Sequence, residues 1–200
     1  MRKILVITSS RADFGILSNL IKQIEKDNLL NLKLLVTGSH LNKTKGSSID
    51  EIIQKKIRVN KYMNLNMKNA NLRDTIKICA DSLIKYKKIY DKLRPHLILV
   101  LGDRFEIYSA VVSAFFSRIP VAHLNGGEVT HAALDDSLRH SITKLSNIHF
   151  VTNREHFKRV IQLGENPKRV HLVGSLSSEN IKKSIFKSKR YLENKLNFKF

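Results

Sequence analysis

Aliphatic runs alternate along the chain with stretches whose apolar residues fall at helical spacing. Lys3–Thr8 (KILVIT) is β-branched and lacks polar alternation, which suits a parallel strand buried on both faces. After a polar turn, Ile16, Leu17, Leu20, Ile21 and Ile24 mark one face of a helix. Leu32–Thr37 reads as a second strand closed by Gly38, and Ser39–Ser48 as a polar loop. A short helix is expected over Ile49–Lys56 and a strand within Ile57–Leu65. Asn71–Leu93 reads as a long helix stopped by Pro95, with Leu72, Ile76, Cys79, Leu83, Tyr86 and Tyr90 near helical spacing. His96–Leu101 (HLILVL) is the clearest central strand. A helix over Phe105–Ser117, a strand at Pro120–Leu124 and a loop over Asn125–Glu128 follow. The pattern then gives a helix at Asp135–Leu145, a strand at Ile148–Thr152 and a helix at Arg154–Leu163 with Gly164 as its C-cap. Arg169–Val173 is the last strand. This alternation predicts an α/β domain over 1–176, an open parallel sheet with helices on both faces and right-handed crossovers.

Beyond Leu176 the pattern changes. A helix starts near Ser177 or Ser178, and the following stretch to Phe200 is basic, with Leu192, Leu196, Phe198 and Phe200 dotted through it. Residues 177–200 are therefore expected to be a basic helical tail, either folded back on the domain or acting as a linker. The last twenty residues carry seven basic side chains against Glu193 alone.

Charge adds a preference for anions. The 200 residues have a formal net charge of +19, which favours phosphate-bearing ligands, nucleotide or nucleic acid. The lysines are spread along the chain, without an RNA-binding motif or an arginine stripe interleaved with aromatics. This argues against a nucleic-acid binder, and a non-catalytic anion- or nucleic-acid-binding module is kept as the alternative. The single cysteine, Cys79, excludes an intrachain disulfide, and its helical apolar neighbours predict a core thiol. The apolar run Ile4–Ile7 is too short for a signal-peptide core or a membrane span, so a soluble, cytoplasmic protein is expected.

Three strand ends carry concentrated polar chemistry, where open α/β sheets bind ligands. The first is Ser9–Ser10–Arg11–Ala12–Asp13–Phe14–Gly15. It is neither a G-x-G-x-x-G fingerprint nor a P-loop, but a helix N-terminus and Arg11 both suit phosphate. Asp13 is expected to cap that helix. The second is Gly102–Asp103–Arg104–Phe105–Glu106, where two acids and an arginine follow the most apolar strand. Charges at the edge of a core are paired or used. An Asp103–Arg104 or Glu106–arginine ion pair would satisfy that rule as well as catalysis would. The third runs from His123 through Gly126, Gly127 and Glu128 to Asp135, Asp136, Arg139 and His140. Its glycines would let a ligand approach the backbone. With no H-E-x-x-H and no cysteine cluster, no metal site is expected.

Taken together, TSSRADFGIL (Thr8–Leu17), LGDRFEI (Leu101–Ile107), AHLNGGEVT (Ala122–Thr130), DDSLRHSITKLSNIHFVTN (Asp135–Asn153) and RVIQLGENPKRVHLVGSLSSENI (Arg159–Ile181) resemble the hydrolysing UDP-N-acetylglucosamine 2-epimerases of sialic acid biosynthesis. Five segments in family order and spacing cover the chain to Ile181, and some relatives act on UDP-linked bacillosamine derivatives instead. The resemblance implies the Rossmann-like N-terminal half of a GT-B-type fold. It implies elimination of UDP to 2-acetamidoglucal, then hydration to N-acetylmannosamine, with no cofactor. The family's catalytic acids fall on Asp103, Glu128 and one acid of the Asp135–Asp136 pair, with Asp135 preferred and Asp136 left open. Arg11 falls on an arginine near the diphosphate, and Arg104, His123, Gly126, Gly127 and Arg139 are the other expected substrate-binding positions. The departure at His131 implies a local difference in that loop. Family members run to about twice this length, and their second domain supplies most nucleotide contacts and a catalytic histidine. The resemblance therefore implies little activity for these residues alone, with a homo-oligomer or a partner chain supplying the second domain.

Overall fold

The computed structural model describes residues 1–42, 48–67, 72–131, 134–183 and 187–199. Seven parallel strands form one sheet: β1 (Arg2–Thr8), β2 (Leu30–Thr37), β3 (Lys61–Met63), β4 (Leu97–Leu101), β5 (Val121–Leu124), β6 (Ile148–Val151) and β7 (Val170–Leu172). Their order is β3-β2-β1-β4-β5-β6-β7. The helices are α1 (Arg11–Lys26), α2 (Ile49–Gln54), α3 (Leu72–Leu93), α4 (Phe105–Phe116), α5 (Leu134–Leu145), α6 (Arg154–Gln162), α7 (Leu176–Lys183) and α8 (Lys189–Leu196).

The order reverses between β1 and β4. The chain leaves their carboxyl ends in opposite directions, so a crevice opens there between the loops. Both strands are buried runs without alternation, because helices cover both faces. One face places Leu5, Ile7, Ile98, Val100 and Val121 under α3, α4 and α5. The hydroxyls of Tyr86 and Tyr90 donate to the carbonyls of Glu106 and Ala110, at 3.0 and 2.9 Å, and lock α3 to α4. The other face packs Ile4, Val6, Leu34, Val36 and Leu99 against Phe14, Leu17, Ile21 and Ile24 of α1. Among the described residues no helix is long and apolar enough to cross a membrane.

Several element bounds differ from those expected. The strand sought within Ile57–Leu65 is three residues long, because this edge strand pairs with β2 only at Leu35–Thr37. The loop after β2 begins as a 3-10 turn, Gly38–Leu41, and 43–47 of that expected loop lie outside the described residues. So do Asn71 at the expected helix start and Phe200 in the tail. Cys79 is half-buried rather than a core thiol.

The tail divides in two. Helix α7 docks on α1: Asn180 Nδ2 donates to the carbonyls of Gly15 and Ile16, 2.9 Å each, and its Oδ1 accepts from Asn19 at 2.7 Å. Helix α8 is capped by Ser188 and contains no buried residue, and Leu192, Leu196 and Phe198 are partly exposed.

Candidate active site

The crevice is built by the loops after β1, β4 and β5. After β1, Ser10 caps α1 by accepting the Asp13 N–H at 3.2 Å, and the Asp13 carboxylate accepts from the Ser9 hydroxyl at 2.7 Å. This reciprocal arrangement holds Asp13 in the first turn, where a negative charge suits the helix dipole. Arg11 is the first residue of α1. It pairs with Glu51 of α2 at 3.5 Å, and its side chain is 83% exposed. It stands over an open pocket of about 570 Å³ lined by Gly15, Glu51 and Asn180, not among the carboxylates of the other loops.

After β4, Gly102 takes a φ of +83°, which turns the chain so that Asp103 and Arg104 face different partners. Arg104 Nε binds Glu106 Oε1 at 2.6 Å. Asp103 instead meets Arg139 of α5. Of the two ion pairs open from sequence, the Glu106–arginine pair forms and an Asp103–Arg104 pair does not. Glu106 is fully buried, and its Oε2 has no partner among the described residues. It lies against the turn at Gly38, where a Cβ would come 3.0 Å from Glu106 Oε1 and 2.5 Å from the Ser9 carbonyl.

Arg139 organises the cluster. It is almost wholly buried, donates to the Thr130 hydroxyl at 3.1 Å and approaches Asp136 at 3.8 Å. The Asp136 carboxylate accepts the Thr130 N–H at 2.8 Å. That hydrogen bond holds the Asp136 carboxyl below its usual range, helped by His140 and Arg139 and opposed by burial. Asp103 goes the other way. Burial raises its pKa, Arg139 offsets part of the rise, and the charges of Asp135 and Asp13 add to it. Asp135 is exposed at the start of α5, close enough to act on Asp103 and Arg104 through its charge. Residues 132–133 of this segment lie outside the described residues.

His123 lies beneath the cluster and is fully buried. Burial lowers its pKa to about 3, so the ring is neutral. Its Nε2 lies 2.9 Å from the Gly102 carbonyl, which only accepts, so Nε2 carries the proton. Nδ1 faces the Thr143 hydroxyl at 3.2 Å. His123 thus fixes the turn that aims Asp103. The glycine pair also differs from expectation. A Cβ on Gly127 would come 2.5 Å from the His156 carbonyl, and one on Gly126 would come 3.1 Å from Thr143 Oγ1. The room these glycines provide is filled by the chain's own atoms. Arg159 of α6 donates to the Gly127 carbonyl, so α6 packs directly under this loop. Glu128 is half-buried and acts on His156 through its charge, and His156 Nδ1 lies 2.6 Å from the Thr152 hydroxyl. His156 has its pKa lowered by burial, against the pull of Glu128.

Sequence patterns did not single out His156 or Arg159 as members of this neighbourhood. For Glu106 the GDRFE segment carried a signal, an acid two residues beyond an arginine at a core strand's end. Among the described residues no three His, Cys, Asp or Glu side chains converge as metal ligands would.

Residues 22–199 match the family described as UDP-N-acetylglucosamine 2-epimerase. The chain belongs to that family. It is 37% identical over 198 residues to the GDP/UDP-N,N'-diacetylbacillosamine 2-epimerase (hydrolyzing) of Campylobacter jejuni, covering 99% of this chain and 51% of that protein. Over 176 residues it is 37% identical to a UDP-N-acetylglucosamine 2-epimerase of Neisseria meningitidis serogroup B, covering 88% of this chain and 45% of that protein. The crystal structure of the Neisseria meningitidis UDP-GlcNAc 2-epimerase bound to UDP-GlcNAc superposes with a TM-score of 0.81 at 19% identity, covering 98% of this chain and 54% of that chain. The fold is therefore the Rossmann-like, GT-B-type N-terminal domain of the UDP-N-acetylglucosamine 2-epimerases, as expected. The chain spans about half the length of the relatives it matches. Asp103, Arg139 and the acids of the β5–α5 segment thus line the carboxyl edge of an epimerase N-terminal domain.

Proposed function

We propose that this chain supplies the N-terminal half of the active cleft of a hydrolysing UDP-2-acetamidosugar 2-epimerase, with UDP-N-acetylglucosamine as substrate and N-acetylmannosamine and UDP as products. The observation that carries this reading is the half-buried Asp103, raised above the ordinary carboxylate range and clamped by Arg139. The same arginine ties in the segment holding Glu128 and Asp135.

The chemistry needs three acids in different states. In the first stage a carboxylate takes the C2 proton, the C1–oxygen bond breaks, and UDP leaves with the bonding electrons. The product is 2-acetamidoglucal with a C1–C2 double bond. In the second stage a carboxyl gives a proton to C2 from the opposite face, and water adds its oxygen to C1 while losing a proton to a carboxylate. Neighbouring acids with unequal pKa values suit such a sequence. Asp103 is the group poised to carry a proton, and Glu128 and Asp135 are its partners. Between the two acids opening α5, geometry favours Asp135: Asp136 is occupied with the Thr130 N–H. Arg104, with its guanidinium oriented by Glu106, and the exposed Arg11 suit the diphosphate. His123 acts through the Gly102 turn.

The relatives are twice as long, so the remaining wall of the cleft comes from residues beyond these, continuous or on a separate chain. The test is release of UDP and N-acetylmannosamine from UDP-N-acetylglucosamine, with this chain alone and with a second domain supplied. Turnover is expected only with the second domain. Asp103→Asn or Glu128→Gln should cut it about a hundredfold or more. Robust turnover by this chain alone would overturn the half-cleft reading, and full activity of Asp103→Asn would overturn its role. A UDP-linked diacetylbacillosamine, the substrate class named for the Campylobacter relative, run beside it decides the sugar.

A further inference from the structure

Two acids near the crevice are held by their side chains. Arg139 grips the carboxylate of Asp103, and the Thr130 N–H holds that of Asp136. Glu128 differs. It is half-buried, and among the described residues no group donates a hydrogen bond to its carboxylate. Free oxygens suit proton transfer, but a reacting group misplaced by about 1 Å loses about a hundredfold in rate. With no clamp on the carboxylate, the backbone must set where it stands.

That backbone is seated on α6. Asn125 and Gly127 take φ values of +63° and +78°, and the Asn125 N–H donates to the Phe150 carbonyl at 3.0 Å. Gly127 rests on the first turn of α6, where a Cβ would come 2.5 Å from the His156 carbonyl and 3.0 Å from Val160 Cγ2. Arg159, three residues beyond His156 and so on the same helix face, donates to the Gly127 carbonyl. That carbonyl belongs to the peptide joining Gly127 to Glu128. The peptide is planar, so holding its oxygen also fixes the direction in which the chain enters Glu128. A guanidinium donating to a carbonyl is a charge-assisted bond, stronger than a neutral pair.

The seat is itself braced. Asn153 caps α6 by accepting the His156 N–H at 2.9 Å on its Oδ1, which leaves its Nδ2 to donate toward His156 Nε2 at 3.3 Å. Nε2 therefore accepts, and Nδ1 carries the proton toward the Thr152 hydroxyl at 2.6 Å. Both ring nitrogens are engaged within α6 and its cap. Fastening α6 to the sheet does not need Arg159, because Phe157, Val160 and Ile161 already pack with Val151 and Val170.

Building on Glu128 as an acid of the proposed epimerase cleft, we infer that Arg159 is a positioning residue for the reaction. It fixes the Gly127–Glu128 peptide against α6 and so places the unclamped carboxylate, acting through the backbone rather than on the substrate.

The amide nitrogen of Glu128 belongs to the peptide that Arg159 holds, so its NMR signal reports the bond in this chain alone. Arg159→Met should move that signal with circular dichroism unchanged. With the second domain supplied, Arg159→Met should lower kcat about tenfold or more and leave KM within about twofold. Taken per folded chain, kcat would not fall in a variant that merely folded less well. Arg159→Lys keeps a donor and should recover part of the loss. Arg154→Met, exposed on the same helix, also removes one positive charge and should change neither kcat nor KM. An unmoved Glu128 signal in Arg159→Met, or an equal loss of kcat in Arg154→Met, overturns the proposal. So does unchanged kcat in Arg159→Met where Glu128→Gln is inactive. Full activity of Glu128→Gln overturns instead the role of Glu128, and the positioning role with it.

Discussion

Arg139, on α5, lays its guanidinium on the carboxylate of Asp103 at the end of β4 and so joins two loops that are thirty-six residues apart in sequence. The pair is mostly out of water, with 7% of the Arg139 side chain and 19% of the Asp103 side chain exposed. Removing one partner strands the other, and the stranded group then dominates the cost.

Arg139→Met should therefore cost about 2 kcal/mol at neutral pH, read from urea denaturation. The sign of its pH dependence follows from Asp103. Arg139 lowers a carboxyl pKa that burial has raised, so its contribution is present while Asp103 is ionised. It is lost as acid protonates Asp103. The gap between wild type and Arg139→Met should narrow as pH falls through the raised pKa of Asp103. A gap that stays constant from neutral pH to pH about 4 would mean that the arginine contributes packing alone.

His123 gives a separate acid signature. Its ring stays neutral in the fold down to about 3, whereas the unfolded chain takes up that proton near 6.5. The unfolded state binds more protons in this window. Stability is fully present above about 6.5 and falls as pH drops toward 3. His40, buried between Thr8 and Ser48 and lowered to about 4 by burial, adds a second proton over nearly the same window. Each ring contributes at most about 1.4 kcal/mol per pH unit there. His123→Gln keeps a donor for the Gly102 carbonyl and should flatten the acid limb of a stability–pH curve by about one proton. An unchanged slope would show that the His123 ring is protonated in the fold.

The strands, their order of appearance and most helices are legible from the sequence because each aliphatic run is followed by a stretch of helical period. The positions of the charged loops follow from that alternation. The pairing of the charges does not. Asp103 and Arg104 are neighbours, yet the turn at Gly102 separates them, and their partners come from α5 and from Glu106. That outcome depends on where the β5–α5 connection lands, a tertiary fact with no local signature. The glycines were misleading for a related reason. A glycine records close approach without saying of what, and at Gly127 the approaching group is the carbonyl of His156. The docking of α7 uses Asn180 and Leu176, in a segment whose composition reads as tail.

The two positive-φ glycines flanking the cluster should separate strain from crowding. Gly102 has a φ of +83° and open space where a Cβ would stand, so Gly102→Ala should cost about 1 kcal/mol from conformation alone. Gly127 has a φ of +78° and backbone 2.5 Å from the same position. Gly127→Ala must move α6 or the loop as well, and should cost about 3 kcal/mol. Equal losses in thermal or urea denaturation would mean that α6 yields freely at His156.

Asn180 offers a test of local rather than global stability. Its amide makes both hydrogen bonds to the carbonyls of Gly15 and Ile16, beside the apolar contact of Leu176. A short helix at the surface opens without disturbing the sheet. Asn180→Ala should therefore abolish amide-exchange protection across Leu176–Lys183 while leaving the global unfolding midpoint within about 0.5 kcal/mol of wild type. Because α7 lines the pocket over which Arg11 stands, its release should also alter the surroundings of Arg11. A shift in the Arg11 side-chain NMR signals is the expected accompaniment. Protection that survives in Asn180→Ala would place the anchor in the apolar contacts of Leu176 instead.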